Sequence, residues 1–103
     1  MIRVSIDPQE MMFRLDGHAG YAPEGQDIVC AGASMLAAAL FEFVLCKADD
    51  DDLGACELRP GHAELDVVPA SLDVMRECRC AFHMAAMGFS LLAARYPEYV
   101  IVD

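Results

Sequence analysis

The sequence predicts a single α+β domain, in which two helices pack on a small mixed β-sheet in the order β-β-α-β-β-α-β. Short segments with alternating apolar and polar residues indicate strands, and two longer apolar segments begin at residues that cap helices. No repeat or linker divides the 103 residues, a length typical of one domain. We therefore interpret residues 1–103 as one domain.

The N-terminal part is predicted to form two antiparallel strands. Apolar and polar residues alternate over residues 2–7, and Pro8 ends that pattern. The next segment, MMFRLDG at residues 11–17, places Phe13 and Leu15 on one face. A tight connection joins the two segments, so we expect a strand pair with one buried face.

The first helix is predicted to run from Ile28 to about Lys47, with Asp27 as its N-cap. Residues 28–46 are apolar apart from a serine and a glutamate, and they approach the length of a membrane span. Acidic flanks without lysine or arginine on both sides argue against a span. We expect a helix buried on most sides, in part by a second copy of the chain.

Residues 56–68, CELRPGHAELDVV, are predicted to form a hairpin. Pro60 and Gly61 are the turn residues, and the alternation that follows them ends at Pro69. His62, beside this turn, is interpreted as an ordinary residue. The hairpin supplies the third and fourth strands.

The second helix is predicted to begin after Ser71, which is a good N-cap, and to stop before Pro97. Apolar residues recur at steps of three and four through this segment, which is typical of an amphipathic helix. Residues 99–102, YVIV, then form a short last strand.

Composition narrows the classes of partner. The formal net charge is −10, so the surface repels nucleic acid and anionic membranes and favours a basic protein or peptide. Because 56% of the residues are hydrophobic, a small domain would leave apolar surface exposed, and we expect a homodimer. The acidic run at residues 49–52 is interpreted as a solvated loop that ends a helix.

Five cysteines are present, at positions 30, 46, 56, 78 and 80. An odd number of cysteines without a visible signal peptide argues against a disulfide framework and indicates the cytoplasm. We expect most of these thiols to be small core residues.

Cys30 is the exception, because the predicted cap at Asp27 makes it the third residue of the first helix. The unpaired N–H groups and the positive end of the helix dipole there favour the thiolate, which is the reactive form. The same N–H groups can bind the oxyanion that forms when a carbonyl is attacked. Cys30 is therefore a candidate nucleophile.

His18 follows the second strand, and the loop after it returns to the start of the helix, so the imidazole can reach Cys30 and act as its base. No group is obviously placed to orient the ring; Asp27 could do so, although capping is its favoured role. Gly17, Gly20 and Gly25 suit a loop that moves or lies against a substrate backbone, and equally an ordinary turn.

Ser34 lies one helical turn beyond Cys30 on the same face. Its hydroxyl either touches the substrate or positions the thiol, or it hydrogen-bonds back to its own helix.

A metal site is disfavoured. His18 and Cys30 supply two ligands, whereas zinc requires three or four. Cys78, Cys80 and His83 could add ligands, but residues 78 and 80 point to different sides of a helix. We expect no metal and no cofactor.

The segment GHAGYAPEGQDIVCAGASML, residues 17–36, closely resembles the signature of the ribosomal-processing cysteine proteases, the Prp family. The segment ARYPEYVIV, residues 94–102, resembles that family's closing passage from helix to strand, whereas residues 47–80 match only loosely. The matched parts of the signature are residues 17–19, 25–27 and 29–32, together with Ser34.

This resemblance implies a cysteine endopeptidase with a Cys/His dyad, often a homodimer. It implies removal of a short N-terminal extension from a large-subunit ribosomal protein, number twenty-seven, during ribosome maturation. By the same resemblance, Cys30 is the nucleophile, His18 is its partner, and residues 19–26 form a mobile gate over the substrate.

A second hypothesis remains open on the residues alone. The chain could be a dimeric acidic module that binds a basic protein, with Cys30 serving only a structural role. That hypothesis predicts an inert, buried thiol.

Overall fold

The computed structural model describes all residues from Met1 to Asp103, and it confirms the predicted α+β architecture and element order. A short 3-10 helix between α1 and β3 is the one further element. The elements are β1 (Ile2–Asp7), β2 (Met12–Asp16), α1 (Ile28–Lys47), the 3-10 helix (Asp50–Asp52), β3 (Leu53–Arg59), β4 (His62–Val67), α2 (Leu72–Arg95) and β5 (Val100–Val102).

The five strands form one mixed sheet in the order β3-β4-β2-β1-β5. The β1–β5 pair is parallel, which requires the long crossover through α2, and the other three pairs are antiparallel. In the β2–β4 pair, Asp16 lies opposite His62. This register places the tip of the β3–β4 hairpin beside the end of β2, where the loop that contains His18 begins.

The core lies between one face of the sheet and the two helices, because apolar residues alternate with polar ones along β1, β2 and β4. Phe13 of β2 is fully buried at its centre. Its ring stacks on Phe89 of α2 at 5.5 Å and meets Phe41 of α1 edge-on at 6.3 Å. These three rings join the sheet to both helices.

The helices approach closely through two glycines. A Cβ atom on Gly88 would lie 2.5 Å from Cδ2 of Leu36, and one on Gly32 would lie 3.3 Å from Cδ1 of Leu92. The pairings 36–88 and 32–92 show that α1 and α2 run antiparallel. Their contact holds the N-terminal end of α1, which carries Cys30, against the C-terminal part of α2.

A single chain accounts for part of the predicted burial of α1, and the part assigned to a second copy of the chain stays a prediction. Only one face of the helix packs in the core, and Met35 on the other side is 67% exposed. By length and composition alone α1 could cross a membrane, a test that core helices of soluble proteins also pass. The buried residues of α1 are Val29, Ala33, Ala37, Leu40, Phe41 and Val44.

The acidic run is only partly a solvated loop. Asp52 is 6% exposed, and its carboxylate accepts hydrogen bonds from Ala70 N at 2.8 Å and Asp49 N at 2.9 Å. These bonds, chiefly the one from Ala70, lower the pKa of Asp52. The side chain therefore ties the 3-10 helix to the connection between β4 and α2, a role that charge patterning did not predict.

The expectation for the cysteines is also wrong, since only Cys78 is buried. Cys46 and Cys80 lie on exposed helix faces and Cys56 on the edge strand β3, while Cys30 is half-buried. All five are free thiols. Most of the thiols lie outside the core because their positions on the helices and on the edge strand face solvent.

Candidate active site

Asp27 joins the start of α1 to the loop before it. Its Oδ1 accepts the N–H of Cys30 at 2.9 Å, which confirms the predicted N-cap. Its Oδ2 accepts the N–H groups of Tyr21 at 2.9 Å and Ala22 at 3.4 Å. The bond from Cys30 contributes most to the lowered pKa of Asp27. Both oxygens are thus occupied by backbone, and Asp27 does not orient His18.

The sulfur of Cys30 has a backbone donor. Sγ accepts a hydrogen bond from the N–H of Ala19 at 3.2 Å, and Ala19 is only 3% exposed. A donor at this distance stabilises negative charge on sulfur. The loop therefore covers the thiol and places a backbone donor on its sulfur.

His18 is exposed, and its imidazole lies against the tip of the β3–β4 hairpin. A Cβ atom on Gly61 would stand 2.7 Å from Nε2 of His18. No hydrogen bond joins this ring to the thiol of Cys30, although both residues line one cleft. The structure therefore brings the two predicted residues to the same cleft.

Gly17 determines the direction in which the chain leaves β2 just before His18. Its φ is +99°, and a Cβ atom there would lie 2.3 Å from the carbonyl oxygen of Met1. Its N–H donates to the carbonyl of Gly61 at 2.9 Å. Only glycine fits this position, and the hydrogen bond holds the start of the loop beside the hairpin.

The cleft has a volume of about 1000 Å³ and lies between the loop, the N-terminal half of α1 and the hairpin tip. All the predicted site residues line it. Sequence reasoning missed the hairpin side of the cleft, because only the β2–β4 register places it there. The predicted residues that line the cleft are Gly17, His18, Gly20, Gly25, Asp27, Cys30 and Ser34, and the missed ones are Leu58, Arg59, Pro60 and Gly61.

Ser34 is exposed on the helix face that borders the cleft. Its hydroxyl makes no hydrogen bond within the protein, so the expected alternative of a bond back to its own helix is not seen. The hydroxyl is free to contact a bound peptide.

The cap restricts which N–H groups can bind an oxyanion. The N–H of Cys30 donates to the Asp27 side chain and that of Ala31 to the Asp27 carbonyl at 3.0 Å. The N–H groups of Ile28 and Val29 have no acceptor in the protein. These two are the unpaired donors at the helix start.

One group of potential metal ligands lies elsewhere, on the solvent face of the sheet. Nε2 of His62 lies 3.3 Å from Glu64 Oε1 and 3.8 Å from Glu57 Oε2, while Nδ1 is 2.6 Å from Asp16 Oδ1. The hydrogen bond to Asp16 contributes most to the raised pKa of His62. These groups form an ion-pair network, and His62 is less ordinary than predicted.

Comparison with known proteins identifies the family. A family model described as cysteine protease Prp matches residues 1–101. No curated protein matches the chain.

Solved structures with the same fold cover the whole chain. The ribosomal processing protease Prp from S. aureus with a covalently linked product peptide has a TM-score of 0.81, 24% identity and 98% of its own chain covered. SMU.848 from Streptococcus mutans has a TM-score of 0.73, 26% identity and 92% covered. The S. aureus protease with a substrate peptide has a TM-score of 0.71, 20% identity and 98% covered.

The family match favours an enzyme over the alternative binding module. It extends over nearly the full length, including the segment 47–80 that resembled the family only loosely. The chain belongs to the Prp family and is a cysteine protease.

Proposed function

We propose that this protease removes the N-terminal extension of large-subunit ribosomal protein number twenty-seven through a dyad of Cys30 and His18. The observation that carries the proposal is the position of Cys30, at the third residue of α1, with the Ala19 N–H on its sulfur and His18 in the same cleft. The similar S. aureus protein, a ribosomal processing protease, supports the substrate class. The net charge of −10 complements a basic ribosomal protein. Its site of action is the cytoplasm.

The proposed chemistry is acyl transfer. Rotation about the Cα–Cβ bond of His18 carries its exposed imidazole from Gly61 toward the sulfur, where it takes the thiol proton. The Cys30 thiolate attacks the scissile carbonyl, and the unpaired N–H of Ile28, which lines the cleft, binds the oxyanion. His18 then protonates the leaving amine, and water releases the acyl-enzyme.

The remaining cleft residues bind and position the peptide in this proposal. Residues 19–26 act as the gate, and Gly20 and Gly25, which have no side chain, let its backbone lie close to the peptide. Asp27 holds the gate by its bonds to the N–H groups of Tyr21 and Ala22. Ser34 offers its free hydroxyl to the substrate.

A homodimer completes the proposal, because both helices leave large apolar side chains exposed. Met84, Met87 and Leu91 recur at helical spacing along α2, and each is more than half exposed. A second copy of the chain would cover them. Sedimentation equilibrium should show a dimer for the wild type and a monomer for Met87→Glu, whereas a dimer in both would place the interface elsewhere.

The proposed activity is tested by mixing the protein with a peptide that covers the N-terminal segment of the host's own ribosomal protein. We expect one cut, read by mass spectrometry, which Cys30→Ala abolishes and His18→Ala slows by at least ~100-fold. Cys56→Ala is the matched control, because its thiol is exposed outside the cleft. Equal cleavage by Cys30→Ala would refute the dyad.

A further inference from the structure

A cluster of three tyrosines joins the loop of residues 19–26 to the C-terminal segment of the chain. The ring of Tyr21 meets Tyr96 edge-on at 5.6 Å and Tyr99 edge-on at 5.2 Å. Tyr96 is the C-cap of α2, and Tyr99 comes directly before β5. Both anchor rings are partly buried against the core, so they form a fixed surface for the loop. The backbone of the loop also bonds to the side chains of Asp27 and Cys30 and to the N-terminal amine.

The side chain of Tyr21 acts outside the cleft. Its neighbours Gly20 and Ala22 line the cleft, whereas Tyr21 does not. The cluster therefore lies behind the loop, and Tyr21 influences the site through backbone position alone.

Two residues before Tyr21, the N–H of Ala19 donates to Sγ of Cys30. A displacement of Tyr21 would move Ala19, because a single glycine separates them. Tyr21 is 42% exposed, and its ring contacts both Tyr96 and Tyr99.

We propose that Tyr21 is a positioning residue, whose ring, seated on Tyr96 and Tyr99, keeps the Ala19 N–H on the sulfur of Cys30. The inference rests on the proposed function only for the role of Cys30 as nucleophile. Since no tyrosine hydroxyl in this cluster makes a hydrogen bond, the ring and not the hydroxyl is the required group.

The cysteines of the chain provide a test that needs no substrate. Alkylation by N-ethylmaleimide is followed residue by residue with peptide mass spectrometry, at a pH where exposed thiols are largely ionised, so that accessibility determines the rate. The alkylation rate of Cys30 reports how well the loop covers its thiol. The rate of exposed Cys56 is the reference, and the rate of buried Cys78 reports unfolding of the whole domain.

In Tyr21→Ala we expect the rate at Cys30, relative to Cys56, to rise about fivefold because two edge-to-face contacts are lost. The rate at Cys78 should stay at its wild-type value, and Tyr21→Phe should match the wild type at all three positions. An unchanged ratio in Tyr21→Ala, a parallel rise at Cys78, or a Phe variant that behaves like the Ala variant would each overturn the proposal.

Cleavage of the ribosomal-protein peptide gives the second readout. We expect kcat to fall about tenfold in Tyr21→Ala and to be restored by Tyr21→Phe, because a small displacement of the nucleophile's surroundings lowers the rate. Wild-type kcat in Tyr21→Ala would overturn the positioning role. If the wild type itself leaves the peptide uncut, the substrate assignment fails, and the alkylation result still decides the role of Tyr21.

Discussion

The imidazole of His18 occupies space that Gly61 leaves free, since a Cβ atom on Gly61 would stand 2.7 Å from Nε2 of that ring. Gly61 also has a φ of +76°, which L side chains rarely adopt. The tip of the β3–β4 hairpin is thus one wall of the active-site cleft and sets where the histidine rests before catalysis.

Gly61→Ala should lower the unfolding free energy, because the added methyl group would overlap the imidazole of His18. The left-handed backbone conformation also costs about 1–2 kcal/mol of unfolding free energy for alanine. Urea unfolding in wild-type and His18→Ala backgrounds separates the two effects. The decrease in unfolding free energy caused by Gly61→Ala should be smaller in the His18→Ala background. An equal decrease in both backgrounds would mean that the methyl group does not clash with the imidazole.

The carboxylate of Asp52 should make the stability of the fold decrease as the pH is lowered into the acid range. Its pKa is lowered in the fold by the bonds from Ala70 N and Asp49 N, so its contribution is present above the unfolded pKa. That contribution is lost as the pH falls through the lower, folded pKa, below about pH 4. Thermal unfolding should therefore show a lower Tm for Asp52→Asn at pH 7 and a flatter fall of Tm toward pH 3.

The matched control for Asp52 is Asp51→Asn, since Asp51 is exposed in the same 3-10 helix. This variant should keep the wild-type Tm profile. If both variants behave alike, the effect belongs to the net charge of the run and not to the buried carboxylate.

Arg14 and Asp66 form a two-point ion pair on the solvent face of the sheet, with nitrogen–oxygen distances of 2.7 and 2.9 Å. We expect a double-mutant cycle with Arg14→Met and Asp66→Asn to give a coupling of about 1 kcal/mol, decreasing as salt is added. Peptide cleavage should be unchanged, because neither residue lines the cleft. A zero coupling at low salt would show that the pair contributes nothing to stability.

Phe89 should be among the costliest side chains to truncate. It is fully buried and stacks on Phe13 at 5.5 Å. Phe89→Ala should lower the unfolding free energy by about 3–5 kcal/mol in urea titrations. Val68→Ala, in the connection between β4 and α2, where the residue is 70% exposed, should stay within about 0.5 kcal/mol of the wild type. Similar losses for both would contradict the observed placement of the core.

Much of the site could be predicted because its signals are local. The cap at Asp27 determines that Cys30 is the third residue of α1, and the structure has the same cap. The family signature in residues 17–36 led to the protease family that the full-length match confirms. The contact of His18 with Gly61 had no such signal, because these residues are brought together only by strand register.

By itself, the sequence determined the order of the strands and of the two long helices, and the ends of those helices, because alternation, caps and prolines act over a few neighbouring residues. It did not predict the 3-10 helix or the start of β3 at Leu53. Only the tertiary structure decided the burial of Asp52, the open face of α1 and the seating of Tyr21 on Tyr96 and Tyr99. Each of these depends on which distant segments pack together. Such packing is set by sheet register and helix contacts that no short stretch of sequence encodes.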